Sequence, residues 1–181
     1  MLFFFLKNSS MIKIKLATLL DTTVLAQLGR VTWEESHGQY IDDKNNLLEY
    51  LDKNFSVSKT KQEIQNPKKF FYIIYADEIP AGYAKIIVNE NQENIASNNN
   101  CHLERIFIQK EFIPLKIGQQ LLFFIQERAK ELKLDTIWLS VYVKNKRAIR
   151  FYEKNEFENV GSLNFKVNGV PYENIVFSKG L

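Results

Sequence analysis

The order in which the hydrophobic period changes along the chain leaves few folds open. Residues 12–16 (IKIKL) alternate apolar and basic side chains, as a half-buried strand does. Three helical stretches follow. Asp21 or Thr22 caps the first, which runs to about Ser36 with Val24, Leu25, Leu28 and Val31 on one face. Asp42 or Asp43 opens the second, with Leu47, Leu48, Leu51 and Phe55 as its stripe. A short third follows Ser58 and stops before Pro67, because a residue ahead of proline is pushed out of the helical region. The period then falls to that of strands. Residues 70–76 are aromatic and β-branched, a turn at Asp77-Glu78-Ile79-Pro80 leads into residues 81–88, and the two read as a hairpin. Residues 89–100 are polar, Asn-rich and aperiodic, which marks a loop, and residues 102–108 are the next strand. A helix over 118–132, with Leu121, Leu122, Ile125, Ala129 and Leu132 inward, a strand over 136–143 and a helix over 146–155 come next. Strands over 157–166 and 172–179 flank Asn168-Gly169, a hairpin turn signal. An order of β-ααα-β-β-β-α-β-α-β-β specifies an α/β fold, one mixed sheet with helices on both faces.

With 181 residues, the chain fits one domain, 11–181, preceded by an extension at 1–10 that no core pattern includes and that is expected to be disordered. A domain of this size needs neither disulfide nor metal to stand up. Cys101 alone excludes an intrachain disulfide and suits a reducing compartment. The run at residues 2–6 is too short for a spanning helix and lacks the basic flank of a signal peptide, so the expected location is the cytoplasm, with no membrane partner. A net charge of +3 calls for no nucleic-acid partner, and the basic residues Lys144, Lys146 and Arg147 are too few to make one. Cys101 beside His102 lacks a spaced third ligand, and His37 is remote, so no metal is expected and a buried thiol is. There is no GxxxxGK[ST] or GxGxxG, which argues against a nucleoside-triphosphatase or a dinucleotide enzyme. Trp33, Trp138 and the many phenylalanines read as core.

The chemistry concentrates between Leu103 and Phe157. The strand Leu103-Glu104-Arg105-Ile106-Phe107-Ile108 runs through a short connection into Ile113-Pro114-Leu115-Lys116-Ile117-Gly118 and a helix start. The first amides of a helix have no intrahelical acceptor and its dipole favours an anion, so strand, turn and helix start can cradle a phosphate. Gly118 lets backbone approach a diphosphate without a Cβ in the way, and Lys116 adds a charge. Taken alone this is also the ordinary wiring of α/β proteins.

A second cluster is more specific. Asn145, Ala148, Phe151-Tyr152 and Phe157 resemble the motif of the GNAT superfamily of N-acetyltransferases, in which a strand is followed by Asn, a short gap, Ala, Phe-Tyr on a helix and then Phe. The upstream Leu-x-x-Ile-x-Ile strand and the Lys116-Ile117-Gly118-x-x-Leu121-Leu122 helix start match as well, so the likeness spans about residues 12–179. Within the superfamily, Trp33-Glu34-Glu35-Ser36-His37-Gly38, Leu103-Glu104-Arg105-Ile106 and Phe151-Tyr152-Glu153-Lys154 are similar to the PaiA-type branch, linked to spermidine and spermine. The sequence departs from the family's phosphate loop. Ile113 replaces a Gln/Arg, Lys116 replaces the first glycine, and Pro114 removes one amide donor.

The resemblance implies a mostly antiparallel sheet, acetyl-CoA as cosubstrate, a small-molecule amine acceptor and a possible homodimer. It places Ile106, Phe107 and Ile108 along the pantetheine arm, Leu115, Lys116, Ile117, Gly118 and Gln119 at the diphosphate, and Asn145 and Ala148 beside the arm, although Asn145 equally suits a helix cap. Reaching a neutral primary amine at pH 7 costs roughly 4–5 kcal/mol. Glu104 is the candidate to accept the proton, with a salt-bridged strand residue as the alternative, and Tyr152 is the candidate to protonate the CoA thiolate. Glu34 and Glu35, with Asp42 and Asp43 after them, would draw a polycationic acceptor. The rival functions are a catalytically silent acetyl-CoA sensor and an acetyltransferase for peptide or protein N-terminal amines.

Overall fold

The computed structural model describes residues 10–181. The expected extension, residues 1–10, lies outside the described residues except for Ser10. The strands are β1 (Ile12–Leu16), β2 (Lys69–Ala76), β3 (Ile79–Val88), β4 (Asn100–Ile108), β5 (Thr136–Tyr142), β6 (Glu158–Val167) and β7 (Val170–Gly180). The helices are α1 (Thr22–His37), α2 (Lys44–Asn54), α3 (Val57–Ile64), α4 (Ile117–Glu131) and α5 (Lys146–Lys154). The strands form one sheet in the order β1-β2-β3-β4-β5-β7-β6, antiparallel throughout except where β4 meets β5.

The sheet divides the apolar residues between its two faces by simple alternation along the strands. On one face Phe71 and Ile73 of β2 and Tyr83 of β3 pack with Leu25 and Leu28 of α1. On the other, Tyr72, Ile74, Ala84 and Ile86 pack with Leu121, Leu122 and Ile125 of α4 and Ile149 and Tyr152 of α5. Both hairpin turns hold consecutive residues at positive φ, Asp77-Glu78 at 48° and 67° and Asn168-Gly169 at 46° and 88°. That is the two-residue turn whose twist suits an antiparallel pair.

Several local expectations need correction. The first helix is not capped by the Asp21 side chain. Thr18 and Asp21 form a capping box around the short 3₁₀ turn Leu19–Asp21 ahead of it, and Asp21 also pairs with Lys15 at 2.7 Å. The third helix begins at Val57 under a Ser56 cap rather than after Ser58. Leu48 and Leu132, assigned to buried stripes, are 47% and 37% exposed, because each sits at the edge of its stripe with no neighbouring element over it. Phe123, at 62% exposed, likewise lies outside the core. The connection after β4 is a 3₁₀ helix, Lys110–Leu115, with Pro114 inside it. Cys101 is fully buried, and burial pushes its thiol up to about 12, as expected of an inert core thiol. His102 lies flat on Trp138 at 3.7 Å and pairs with Glu90.

Candidate active site

The site arises where the sheet comes apart. β4 and β5 pair only over Asn100–His102 and Thr136–Trp138. Beyond that point β4 stays bonded to β3, and β5 stays bonded to β7, but the two no longer bond each other. The strands diverge around a cleft of about 870 Å³ whose walls include Glu104–Ile108 on one side and Leu139–Tyr142 on the other. The departure coincides with a β-bulge. Lys85 pairs with Arg105 and Ile86 with Leu103, which leaves Glu104 as the unpaired extra residue. A bulge bends its strand and re-aims the side chain it carries, here that of Glu104 at the cleft.

Beneath Glu104 lies a buried charge network. Lys85 is wholly buried, and its ammonium lies 2.6 Å from a Glu63 carboxylate oxygen and also pairs with Glu104. Arg105 is 3.8 Å from the second Glu63 oxygen, and its guanidinium covers the Phe55 ring at 4.7 Å. Burial alone pushes the Glu104 carboxyl up, but the charges of Arg105 and Lys85 outweigh it and hold the pKa at about 2. Glu104 is thus an ion-paired carboxylate that also lines the cleft, an arrangement that accommodates both readings of it, proton acceptor and salt-bridged strand residue.

At one end of the cleft stand Ile113, Gly118, Asn145, Ala148 and Tyr152, brought together by the starts of α4 and α5. A Cβ on Gly118 would meet only Ile108, at 3.5 Å, so this helix start is open on the side where a ligand would approach. Lys116, in place of a glycine, still adopts the left-handed conformation the turn requires, with φ at 57°. Of the remaining residues expected to touch the cosubstrate, Ile117 is buried in the core beneath α4. Leu115 is 43% exposed, and Gln119 exchanges hydrogen bonds with the Asn155 amide. None of Leu115, Lys116, Ile117 and Gln119 lines the cleft. Asn145 caps α5, its Oδ1 accepting from the Ala148 amide at 3.1 Å, and also lines the cleft. Burial raises the Tyr152 pKa, so its side chain remains a phenol with a proton to give.

The opposite end is aromatic, and sequence reasoning assigned Trp33 and Phe165 in it to plain core and gave Tyr50 and Tyr172 no role. Trp33 and His37 of α1, Tyr50 of α2, Phe107 of β4, Phe165 of β6 and Tyr172 of β7 all line it. The signal was present in Trp33 and His37, which stand four residues apart and so share a helix face. Glu35 lines the cleft and accepts from the Lys110 amide at 2.9 Å. Glu34 does not; it lies exposed on the outer surface of α1. Asp43 is spent capping α2.

A model of the acetyltransferase (GNAT) family matches residues 31–157. An uncharacterized N-acetyltransferase from the pepI 3′ region of Lactobacillus delbrueckii subsp. lactis is 30% identical over 132 residues, which is 73% of this chain and 76% of that protein. The chain belongs to the GNAT family of acetyltransferases. A probable spermine N(1)-acetyltransferase of Bacillus subtilis subsp. natto is 27% identical over 114 residues, 60% of this chain and 75% of that one. The crystal structure of the PaiA N-acetyltransferase from Thermoplasma acidophilum in complex with coenzyme A shares the fold. It has a TM-score of 0.71 at 20% identity and covers 94% of this chain and 99% of that one. Among the described residues no group of three or more side chains is placed to hold a metal, and no helix is long and apolar enough to cross a membrane.

Proposed function

We propose that this GNAT acetyltransferase moves the acetyl group of acetyl-CoA to a primary amine of a small acceptor, with residues 11–181 acting as one catalytic unit. The parting of β4 from β5 carries the reading. Each strand there keeps a backbone edge that nothing else in the sheet pairs, and a cosubstrate arm with amide groups can bond those edges as an added strand would. At the α4 end, the open helix start at Gly118, together with Lys146 and Arg147 at the cleft, offers an electropositive seat for phosphates. Tyr152 gives its proton to the departing sulfur.

The acceptor we favour is a polyamine. Glu35 and Glu104 supply negative charge in the cleft, and the aromatic lining that includes Tyr172 suits the alkyl chain of such an amine. The likeness to a protein named as a probable spermine N(1)-acetyltransferase supports the same class. Steady-state kinetics test both levels. CoA thiol should appear only when an amine is present, and kcat/KM should be higher for spermidine than for butylamine. Glu35→Gln and added salt should each narrow that margin. Equal kcat/KM for the two amines would remove the polyamine, and no thiol release with any primary amine would remove the transfer itself.

A further inference from the structure

The end of α1 presents a histidine to the cleft, with its Nδ1 beside the Ser36 hydroxyl. The Ser36 Oγ lies 2.8 Å from the Thr32 carbonyl oxygen and 3.1 Å from that of Trp33. The His37 Nδ1 is 2.6 Å from the same Oγ. When the Ser36 hydroxyl donates to one of these helix carbonyls, its Oγ accepts from Nδ1, which then bears the proton and leaves the lone pair on Nε2. The ring itself is clamped. Trp33 lies nearly parallel against it at 4.9 Å and 16°, and Phe107 meets it edge-on at 5.7 Å and 86°. Burial pulls the His37 pKa down to about 4 against a smaller opposing pull from the Trp33 carbonyl, so the ring is neutral at pH 7.

We infer that His37 is a catalytic residue whose Nε2 takes the proton from the acceptor nitrogen, and that Ser36 is the positioning residue that holds it in the required tautomer. This rests on the acetyl-transfer reading above. The amine enters as the free base, its ammonium proton having gone to solvent. As nitrogen bonds to the thioester carbonyl carbon, its N–H becomes acidic and passes to Nε2. The C–S bond breaks, the electron pair leaves on sulfur, and the Tyr152 hydroxyl proton goes to sulfur. One proton has left nitrogen and one has reached sulfur; the imidazolium then releases its proton to solvent and the phenolate recovers one. The charged and titratable groups that share the cleft with the ring include Glu35, Glu104 and Tyr50, with Arg105 and Lys110 as cations. Glu104 is committed to Lys85, which leaves the imidazole as the neutral base at this end.

The test compares His37→Gln, Ser36→Ala and His37→Ala with the wild-type chain. His37→Gln should lower kcat about 10²-fold while the KM for acetyl-CoA and the melting-temperature rise that acetyl-CoA induces stay at wild-type values. Ser36→Ala should lower kcat several-fold by releasing the tautomer. His37→Ala should recover turnover when imidazoles are added, in proportion to their basicity. Turnover of His37→Gln within threefold of wild type overturns the proposal, and so does a loss accompanied by loss of the acetyl-CoA-induced shift. Rescue that ignores the basicity of the added imidazole shows a ring that only fills space, and also overturns it. A wild-type chain that releases no thiol with any amine defeats the acetyl-transfer reading instead, so the two failures are distinguishable.

Discussion

Tyr152 packs in the core with the same ring that the proposed mechanism uses as a proton donor. It is 7% exposed, meets Phe151 and Phe157 edge-on, and still lines the cleft. The apolar surroundings that fix the ring also raise the pKa of its hydroxyl, so the group is protonated at pH 7 and carries a proton to donate. Tyr152→Phe keeps the ring contacts and removes only the donor, so we expect kcat to fall about 10²-fold with acetyl-CoA affinity unchanged, read from turnover and calorimetry side by side. Undiminished turnover would make water the donor. That Tyr152, Asn145 and Ala148 line one cleft was legible in the sequence because their spacing over one short helix and its cap already sets their mutual geometry. Glu104 was legible as a residue of the cleft strand, but its partner Lys85 was not, since that lysine comes from another strand. His37 was only half legible: Trp33 and Ser36 beside it are local, but Phe107, which closes the other side of the ring, comes from β4 seventy residues away in sequence.

At the scale of elements, the buried charges explain how α3 is held. Its buried residues are Thr60 and Glu63, so an ordinary apolar stripe does not dock this helix. Glu63 reaches Lys69 of β2 at 3.1 Å and Lys85 of β3 at 2.6 Å, and stands 3.8 Å from Arg105 of β4, which ties α3 to three strands. The sequence gives one sign of this, a lysine between Ala84 and Ile86 in a strand that is otherwise buried, but not the partner. Glu63→Gln leaves Lys85 wholly buried with one anion fewer, and should cost roughly 3 kcal/mol in urea unfolding. Glu34→Gln, on the exposed side of α1, should stay within about 0.5 kcal/mol. Burial pushes the Glu63 carboxyl up, yet Lys85 and Arg105 bring it below its ordinary value, as they do for Glu104. Both folded pKa values lie below the unfolded ones, so this stabilisation is present above about pH 4.3 and is lost as pH falls toward the Glu104 value of about 2. Stability of the wild type should drop through that window, and the drop should be shallower in Glu63→Gln. An identical acid limb in the two proteins would show that the network does not control it.

For the molecule as a whole, the succession of strands and helices could be read from local periods, but the gap in the sheet could not. Residues 103–108 have the pattern of a fully bonded internal strand, and only the register of β4 against β5 shows where pairing stops. The consequence is a sheet whose two halves, β1-β2-β3-β4 on one side and β5-β7-β6 on the other, are joined by backbone bonds at one end alone. A cosubstrate arm laid in the gap would bond both halves and contribute to their cohesion, which the unliganded chain lacks there. Acetyl-CoA at a hundred times its dissociation constant should add about 2.7 kcal/mol to the unfolding free energy, a melting-temperature rise of roughly 5–10 °C for a chain of this size. The gain should be local as well as global. Since alternate amides along β4 already bond β3, hydrogen exchange should slow at the intervening amides of residues 103–108 and at cleft-facing amides of 139–142. Amides in β1 and β2, remote from the gap, should slow only as far as global stability requires. A rise in melting temperature with uniform protection would place the cosubstrate elsewhere, and no rise at millimolar acetyl-CoA would mean that the gap is not its seat.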